Sequence, residues 1–355
     1  MNIHGGYHGD RKEMTDLSIN INPFGPPKDL KRGMEEVFSS LGRYPSIDGR
    51  EYEKGLKERF LIEGEVILGN GAMELIYLFA RAFKGGRALI IQPTFNEYQR
   101  AFTLAGVEVS HFYLQEEEDF QLNLKKLERH IEKEAPDLLI LCHPNNPTGT
   151  MQGDQTLIDL CELLERRSIP LMLDGSFVDF LEEGWQRVPK EVRSYLSRKG
   201  MGICSLTKFY GIPGIRLGYA FGAPKLIGDM RKIKEPWTMN RFAFYALEWI
   251  LKDRSFEGET WEWMKREGLW LKEALKKVKG IRAYPSGANF TLIRVLEETE
   301  ESLQSSLLEK GIYIRSCTDF NGLDHRYYRF ALGKRRENEK IIRALQEALK
   351  GGNRP

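Results

Sequence analysis

Short apolar runs separated by helical patterns organise the middle of the chain. Residues 87–92, 107–113, 137–142, 169–174, 201–205 and 216–221 are apolar segments, several bounded by Pro or Gly, and read as strands. Between them, residues 97–104, 122–133, 157–167 and 189–198 carry apolar side chains at helical spacing. Apolar strands alternating with helices predict an α/β domain built on a mostly parallel sheet with both faces covered. From Asn240 onward the rhythm changes. Helices over 241–252 and 259–279, strands near 289–295, 313–316 and 326–332, and a closing helix over 337–349 predict a second, smaller α+β domain. The expected organisation is an N-terminal arm with part of the small domain over 1–44, a large domain over 45–250 and a small C-terminal domain over 251–355.

Composition narrows the class. With 355 residues the chain is long enough for roughly two domains and a large core. Lys and Arg number 53 against 51 Asp and Glu, a formal charge of +2, so no single-sign field attracts a polyanion and nucleic acid is not an expected partner. No apolar run approaches the roughly 18 residues of a membrane span. The opening, Met1-Asn-Ile-His-Gly-Gly followed by Asp10-Arg-Lys-Glu, is polar where a signal peptide needs an apolar core, so a cytoplasmic location is expected. Cys142, Cys161, Cys204 and Cys317 are far apart with no C-x-x-C, the usage of reduced thiols filling a core. His4 and His8 sit among glycines rather than on a helix and lack an H-E-x-x-H pattern, and no metal is expected.

In an open α/β sheet, ligands gather at the carboxyl ends of the strands, so the residues just after each run carry the information. His143-Pro-Asn-Asn-Pro-Thr-Gly149 is a rigid polar turn after one run. Asp174 closes another, and a carboxylate at the inner end of an apolar strand is costly unless a cation or hydrogen bonds meet it. Ser205-Leu-Thr-Lys208 closes a third, with Arg216-Leu-Gly218 behind it, and a lysine there, neighbouring an acid and hydroxyls, is a candidate nucleophile whose amine pKa burial would lower. Taken singly, Asp174 fits a helix cap, Asn145 and Asn146 fit a turn, and Lys208 fits a surface lysine; together they read as a site. The S-x-x-K match to penicillin-binding enzymes lacks the following K-T-G. Gly69-Asn-Gly71 lacks the third glycine of a dinucleotide fingerprint and is expected to open, rather than follow, the first sheet strand. The amides of Ala72 and Met73, at a helix N-terminus, suit a single phosphate.

The ordered series Gly71-Ala-Met, Pro93-Thr-Phe95, Asn145-Asn-Pro-x-Gly149, Asp174, Ser205-x-Thr-Lys208 and Arg216-x-Gly218 resembles the fold-type-I pyridoxal-phosphate enzymes of the aspartate aminotransferase superfamily, through almost the whole chain. The resemblance implies pyridoxal 5'-phosphate as cofactor. Lys208 would form the Schiff base, Asp174 would pair with the ring nitrogen, Asn146 would bond the ring's phenolic oxygen and Phe95 would stack on the ring face. Ala72, Met73, Ser205, Thr207 and Arg216 would cradle its phosphate. Fixed donors suit a dianion, and an aspartate held against the ring nitrogen keeps it protonated as an electron sink. Asp174-Gly-Ser-Phe177 departs from the usual Asp-Glu-Ala-Tyr or Asp-Glu-Ala-Phe, and Phe177 brings no hydroxyl to the ring oxygen.

Within the superfamily the chain ends resemble the histidinol-phosphate aminotransferase and threonine-phosphate decarboxylase branches. Arg43-Tyr-Pro45 is similar to the segment whose tyrosine, here Tyr44, reaches the cofactor phosphate of a second subunit, which implies a homodimer. Arg329, followed by Gly333 and Arg336-Glu-Asn338, resembles the carboxylate-binding arginine of both branches. His4-Gly-Gly6, Asp16 to Gly25 and Ile314-Arg-Ser-Cys-Thr-Asp-Phe320 resemble the decarboxylases. By that likeness His4 with Arg315 would receive a substrate phosphate and Asn22 would line the substrate pocket. The resemblance implies a small phosphorylated amino acid or amine as substrate. It implies decarboxylation of L-threonine O-3-phosphate in cobalamin biosynthesis, or alternatively amino transfer with 2-oxoglutarate. A non-catalytic cofactor-binding sensor is disfavoured, since no helix-turn-helix segment precedes the domain.

Overall fold

The structure is a computed structural model, and it describes residues 5–7, 9, 14–83, 85–297 and 302–350. A short arm strand, β1 (Thr15–Asp16), precedes two helices, Lys28–Ser39 and Glu53–Phe60. Seven strands then build the large sheet: β2 (Glu65–Gly69), β3 (Arg87–Gln92), β4 (Glu108–Tyr113), β5 (Leu138–Cys142), β6 (Leu171–Asp174), β7 (Met201–Ser205) and β8 (Gly218–Gly222). Their order is β2-β8-β7-β6-β5-β3-β4, and only β8 runs antiparallel to its neighbours. This is the mostly parallel, helix-covered α/β sheet that the sequence predicts.

The two-residue period of each strand sorts its side chains between two cores. Leu139, Leu141, Leu171, Leu173 and Cys204 face one apolar cluster, while Leu138, Ile140, Met172, Met201 and Ile203 face the other. Both sets are buried, which is why the runs read as continuous apolar segments rather than as alternation. Helices cover both faces, among them Gly71–Phe83 and Glu97–Leu104 on one side and Asp154–Arg167 and Lys190–Lys199 on the other.

The C-terminal part carries β9 (Ile281–Ala283), β10 (Phe290–Val295), β11 (Ile312–Tyr313), β12 (Arg315–Ser316) and β13 (Tyr327–Ala331), and helices Ser255–Leu275 and Arg335–Lys350 share one apolar core with them. Four of these strands form an antiparallel sheet in the order β12-β13-β10-β9.

Two expectations need correction. Gly69-Asn-Gly71 follows a strand rather than opening the sheet: β2 lies immediately before it and pairs with β8. Residues 313–316 are not one strand. Ile312 and Tyr313 pair with Thr15 and Asp16, while Arg315 and Ser316 pair with β13. The chain leaves one sheet and enters another within four residues, and the break at Ile314 sets Arg315 directly opposite Arg329.

Candidate active site

The carboxyl ends of β2, β3, β5, β6 and β7 converge on a cavity of about 240 Å³. Its walls include Ala72, Met73, Phe95, Asn146, Asp174, Ser205, Thr207 and Lys208, each at or just after a strand end, and Arg216, which lies just before the antiparallel β8.

Asp174 ends β6 almost fully buried. Its Oδ1 accepts the Ser176 amide at 2.8 Å, and its Oδ2 accepts the Tyr98 hydroxyl at 2.6 Å. Burial and the nearby carboxylate push the Tyr98 hydroxyl well above the ordinary tyrosine range, so it stays a proton donor. Tyr98 is not among the residues that the sequence singles out. The available signal is its place three residues beyond Phe95, in the first turn of the helix Glu97–Leu104, where it reads equally well as core.

Lys208 lies on the single helical turn Leu206–Phe209 after β7. Burial lowers its amine below the ordinary lysine range; Asp174 and Cys142 oppose that shift, while Arg216 and Arg329 add to it. The Nζ sits 5.0 Å from the centre of the Phe177 ring, so at position 177 the lysine meets a π face rather than a hydroxyl.

An anion cradle forms one end of the cavity. The helix Gly71–Phe83 begins there and lays its first amides beside Arg216. A Cβ added at Gly71 would stand 2.5 Å from Arg216 Nη2, so the guanidinium is seated directly against the helix start. Arg216 holds a left-handed φ of 63°, with Nη1 donating to the Pro213 carbonyl at 3.3 Å. A cation at the positive end of a helix is unfavourable alone, and an anion bound between them resolves the conflict. Ser205 Oγ and Thr207 Oγ1, 3.0 Å apart, add two hydroxyls. A phosphate fits this donor set, and a ring carrying it would meet Asp174, Asn146 and Phe95 in the same cavity.

Arg329, on β13, is buried, and its Nη1 donates to Asn146 Oδ1. Its Nη2 donates to the Ser18 carbonyl at 2.8 Å, and burial pushes its pKa down to about 10. Arg315 stands across the strand pair from it and donates to Asp319 Oδ2 at 2.6 Å. Asn22 is buried, but its Nδ2 donates to the Phe209 carbonyl at 2.8 Å and to Thr260 Oγ1 at 2.9 Å, and its backbone amide donates to the Lys208 carbonyl at 3.0 Å. That amide therefore braces the lysine turn, and the neighbouring Ile21 is the arm residue that lines the cavity. Tyr44 is 80% exposed and packs on Trp237 at 5.1 Å between ring centres. His4 lies outside the described residues. Its neighbours Gly5 and Gly6 lie on Ser18: the Gly6 amide donates to Ser18 Oγ at 2.8 Å, and a Cβ on Gly5 would meet the Ser18 carbonyl oxygen at 2.5 Å.

Comparison with known proteins agrees with this geometry. The aminotransferase class I and II family matches residues 12–345. The chain is 36% identical over 345 residues to threonine-phosphate decarboxylase of Salmonella typhimurium, covering 96% of this chain and 92% of that protein. Among solved structures, histidinol-phosphate aminotransferase of Clostridium acetobutylicum superposes with a TM-score of 0.86 at 31% identity, covering 95% of this chain and all of that one. L-threonine-O-3-phosphate decarboxylase of Porphyromonas gingivalis gives a TM-score of 0.82 at 25% identity, with 95% of this chain and 100% of that one covered. Strand-end residues, cavity and sequence likeness converge, and the chain belongs to the aminotransferase class I and II family of pyridoxal-phosphate enzymes.

Proposed function

We propose that this enzyme decarboxylates L-threonine O-3-phosphate to (R)-1-amino-2-propanol O-2-phosphate, a step of cobalamin biosynthesis. The observation that carries the reading is Arg329: a guanidinium 6% exposed, beside the cavity, whose hydrogen-bond acceptors are a neutral amide and a backbone carbonyl. A buried cation without a carboxylate suits an anion brought by the substrate. Arg315 opposite it offers a second guanidinium, so a molecule with both a carboxylate and a phosphate matches the pair. Likeness to a threonine-phosphate decarboxylase at 36% identity over nearly the full length supports the same choice.

When bound, pyridoxal phosphate supplies an electron sink for the pair of electrons left at Cα. The protein does the rest. Ala72, Met73, Ser205, Thr207 and Arg216 would hold the cofactor phosphate, Asp174 its ring nitrogen, Asn146 its ring oxygen and Phe95 its ring face. The Tyr98 hydroxyl keeps Asp174 oriented. Burial shifts Lys208 toward the neutral amine that would bond the cofactor; once displaced by the substrate amine, and holding the proton that amine brings, Lys208 would donate a proton to Cα in place of the carbon dioxide lost. Arg329 would fix the carboxylate so that the bond to be broken is the one the ring can stabilise. His4 would join Arg315 at the phosphate, since the glycines after it rest on the segment that also takes an Arg329 bond.

We also propose a homodimer in which Tyr44 completes the partner's cofactor phosphate site. Support comes from apolar side chains left open along one stretch: Phe38 64%, Leu41 49%, Tyr44 80%, Ile47 58% and Trp237 46% exposed. The described residues contain no helix long and apolar enough to cross a membrane, and all four cysteines are free and buried, which supports a cytoplasmic location.

The expected products are carbon dioxide and aminopropanol phosphate from L-threonine O-3-phosphate without a keto acid. Borohydride should fix the cofactor to Lys208, and Lys208→Ala should abolish both that label and turnover. The superposition on histidinol-phosphate aminotransferase favours a second reading. Conversion of the cofactor to its amine form by glutamate, with no carbon dioxide from threonine phosphate, would decide for amino transfer. Mixing inactive Lys208→Ala and Tyr44→Ala proteins should restore part of the activity through hybrid dimers; a fully active monomer would contradict the dimer.

A further inference from the structure

Arg315 is not waiting empty-handed. Its Nη2 donates to Asp319 Oδ2 at 2.6 Å, its Nη1 donates to the Ser316 carbonyl at 2.7 Å, and its guanidinium lies 5.4 Å from the centre of the Phe320 ring. The two charged side chains are 13% and 19% exposed, so the pair is largely enclosed yet reachable. Asp319 is held from the other side by Asn96, whose Nδ2 donates to the Asp319 carbonyl at 2.7 Å and to Oδ2 at 3.1 Å. Asn96 directly follows Phe95, which lines the cavity. The carboxylate therefore stands where the large domain's cavity wall meets the strand carrying Arg315.

Arg315 and Arg329 are direct cross-strand partners, and like charges so placed repel. Asp319 is the anion that relieves this repulsion in the absence of a substrate. A dianionic phosphate arriving at Arg315 would meet the same guanidinium donors and would be repelled by the carboxylate already there.

We propose that Asp319 occupies on Arg315 the place the substrate phosphate takes, acting as an internal competitor that sets which anions this end of the pocket admits. The inference rests on the assignment of Arg315 to the phosphate in the proposed function. Asp319 touches neither the reacting atoms nor the cofactor cradle, so it is a specificity-determining residue rather than a catalytic one. Its effect is to weaken the grip on the phosphate and, by the same competition, to let a phosphorylated product leave.

The test is calorimetric titration of inorganic phosphate into the borohydride-reduced holoenzyme at low salt, where the cofactor cradle is filled and turnover is blocked. Asp319→Asn and Asp319→Ser should each bind phosphate roughly tenfold more tightly than the natural protein, the order of effect expected from removing one opposing charge at a partly enclosed site. Asp319→Glu, which keeps the charge, should stay within about twofold. In kinetics, Asp319→Asn should lower KM for L-threonine O-3-phosphate, while the binding of L-threonine, which lacks the phosphate, should not change. Weaker or unchanged phosphate binding in both uncharged variants would overturn the proposal and make Asp319 a brace for Arg315. Equal tightening for L-threonine would overturn it as well, since the effect would then not belong to the phosphate subsite. Because the calorimetric arm needs no turnover, tighter phosphate binding with no decarboxylation of threonine phosphate would uphold Asp319 while rejecting the proposed reaction.

Discussion

Two buried arginines flank the lysine turn, and their surroundings differ in one respect. Arg59, on the helix Glu53–Phe60, and Arg329, on β13, are 8% and 6% exposed. Each leaves its Nε without a partner, so an orphaned donor does not separate them. Arg59 is bonded to Glu257, which also accepts the Tyr210 hydroxyl at 2.9 Å. Burial alone would lower the Arg59 pKa, but the hydrogen bond and charge of Glu257 hold it above the ordinary value. Arg329 donates to Asn146 and the Ser18 carbonyl and lies 5.4 Å from the centre of the Phe290 ring, and burial brings it down to about 10. A buried arginine completed by its own carboxylate joins two helices of the fold; one completed by neutral oxygens keeps its charge for a ligand.

That contrast is broken most directly by removing each arginine. Arg59→Ala strands the Glu257 carboxylate and should cost about 3–5 kcal/mol of stability, with kcat/KM of the folded fraction changed only a few-fold. Arg329→Ala should leave stability within about 1 kcal/mol of the natural protein and cut kcat/KM for carbon dioxide release roughly a hundredfold, by removing a charge-assisted contact to the substrate. Urea unfolding and steady-state kinetics on both variants decide; the reverse pairing of effects would dissolve the distinction.

Asp179 sharpens the comparison on the Arg59 side. Burial, aided by Glu257 and opposed by Arg59 and Lys208, pushes its carboxyl from 3.8 up to about 7. The folded state then holds a proton that the unfolded chain has released between about pH 4 and pH 7. Stability from this group is fully present below pH 4 and falls as the pH rises through 7. The loss reaches about 4 kcal/mol, because each pH unit crossed between those two values costs roughly 1.4 kcal/mol. Asp179→Asn cannot lose that proton, so its stability relative to the natural protein should rise between pH 4 and pH 8 in urea unfolding. Parallel curves would show that Asp179 does not titrate there.

The smallest effect belongs to Tyr98→Phe. Losing the 2.6 Å bond to Asp174 should lower turnover about tenfold, near 1.4 kcal/mol, and move the pH dependence of the cofactor's absorbance, with little change in global stability. An unaltered spectrum and rate would reduce Tyr98 to core packing.

The strand ends were legible because buried parallel strands are continuous apolar runs, and a charged or amide residue terminating one stands out against them. Asp174, Asn146 and Lys208 are visible for that reason, and all three line the one cavity. Tyr98 was not, because an aromatic residue in the first turn of a helix looks the same whether it packs or donates a hydrogen bond. The strand β2 was missed as well: Glu65-Val-Ile-Leu-Gly is five residues at the sheet edge with no helix recognised before it. Asn22 was legible as a special residue but not in its task, since its partners, Phe209 and Thr260, are 187 and 238 residues away.

The amino-acid sequence by itself determined six of the large sheet's seven strands, the alternation with helices and the family, since those follow from local period and from the ordered motif residues. Which charges meet was decided only by the tertiary structure. Arg315 faces Arg329 because the chain changes sheets at Ile314, Asp319 reaches Arg315 from a turn anchored on Asn96, and Arg59 finds Glu257 from a helix almost two hundred residues distant. Pairing energies inside a protein depend on distances of a few ångströms and on burial, and neither quantity exists until the chain has folded.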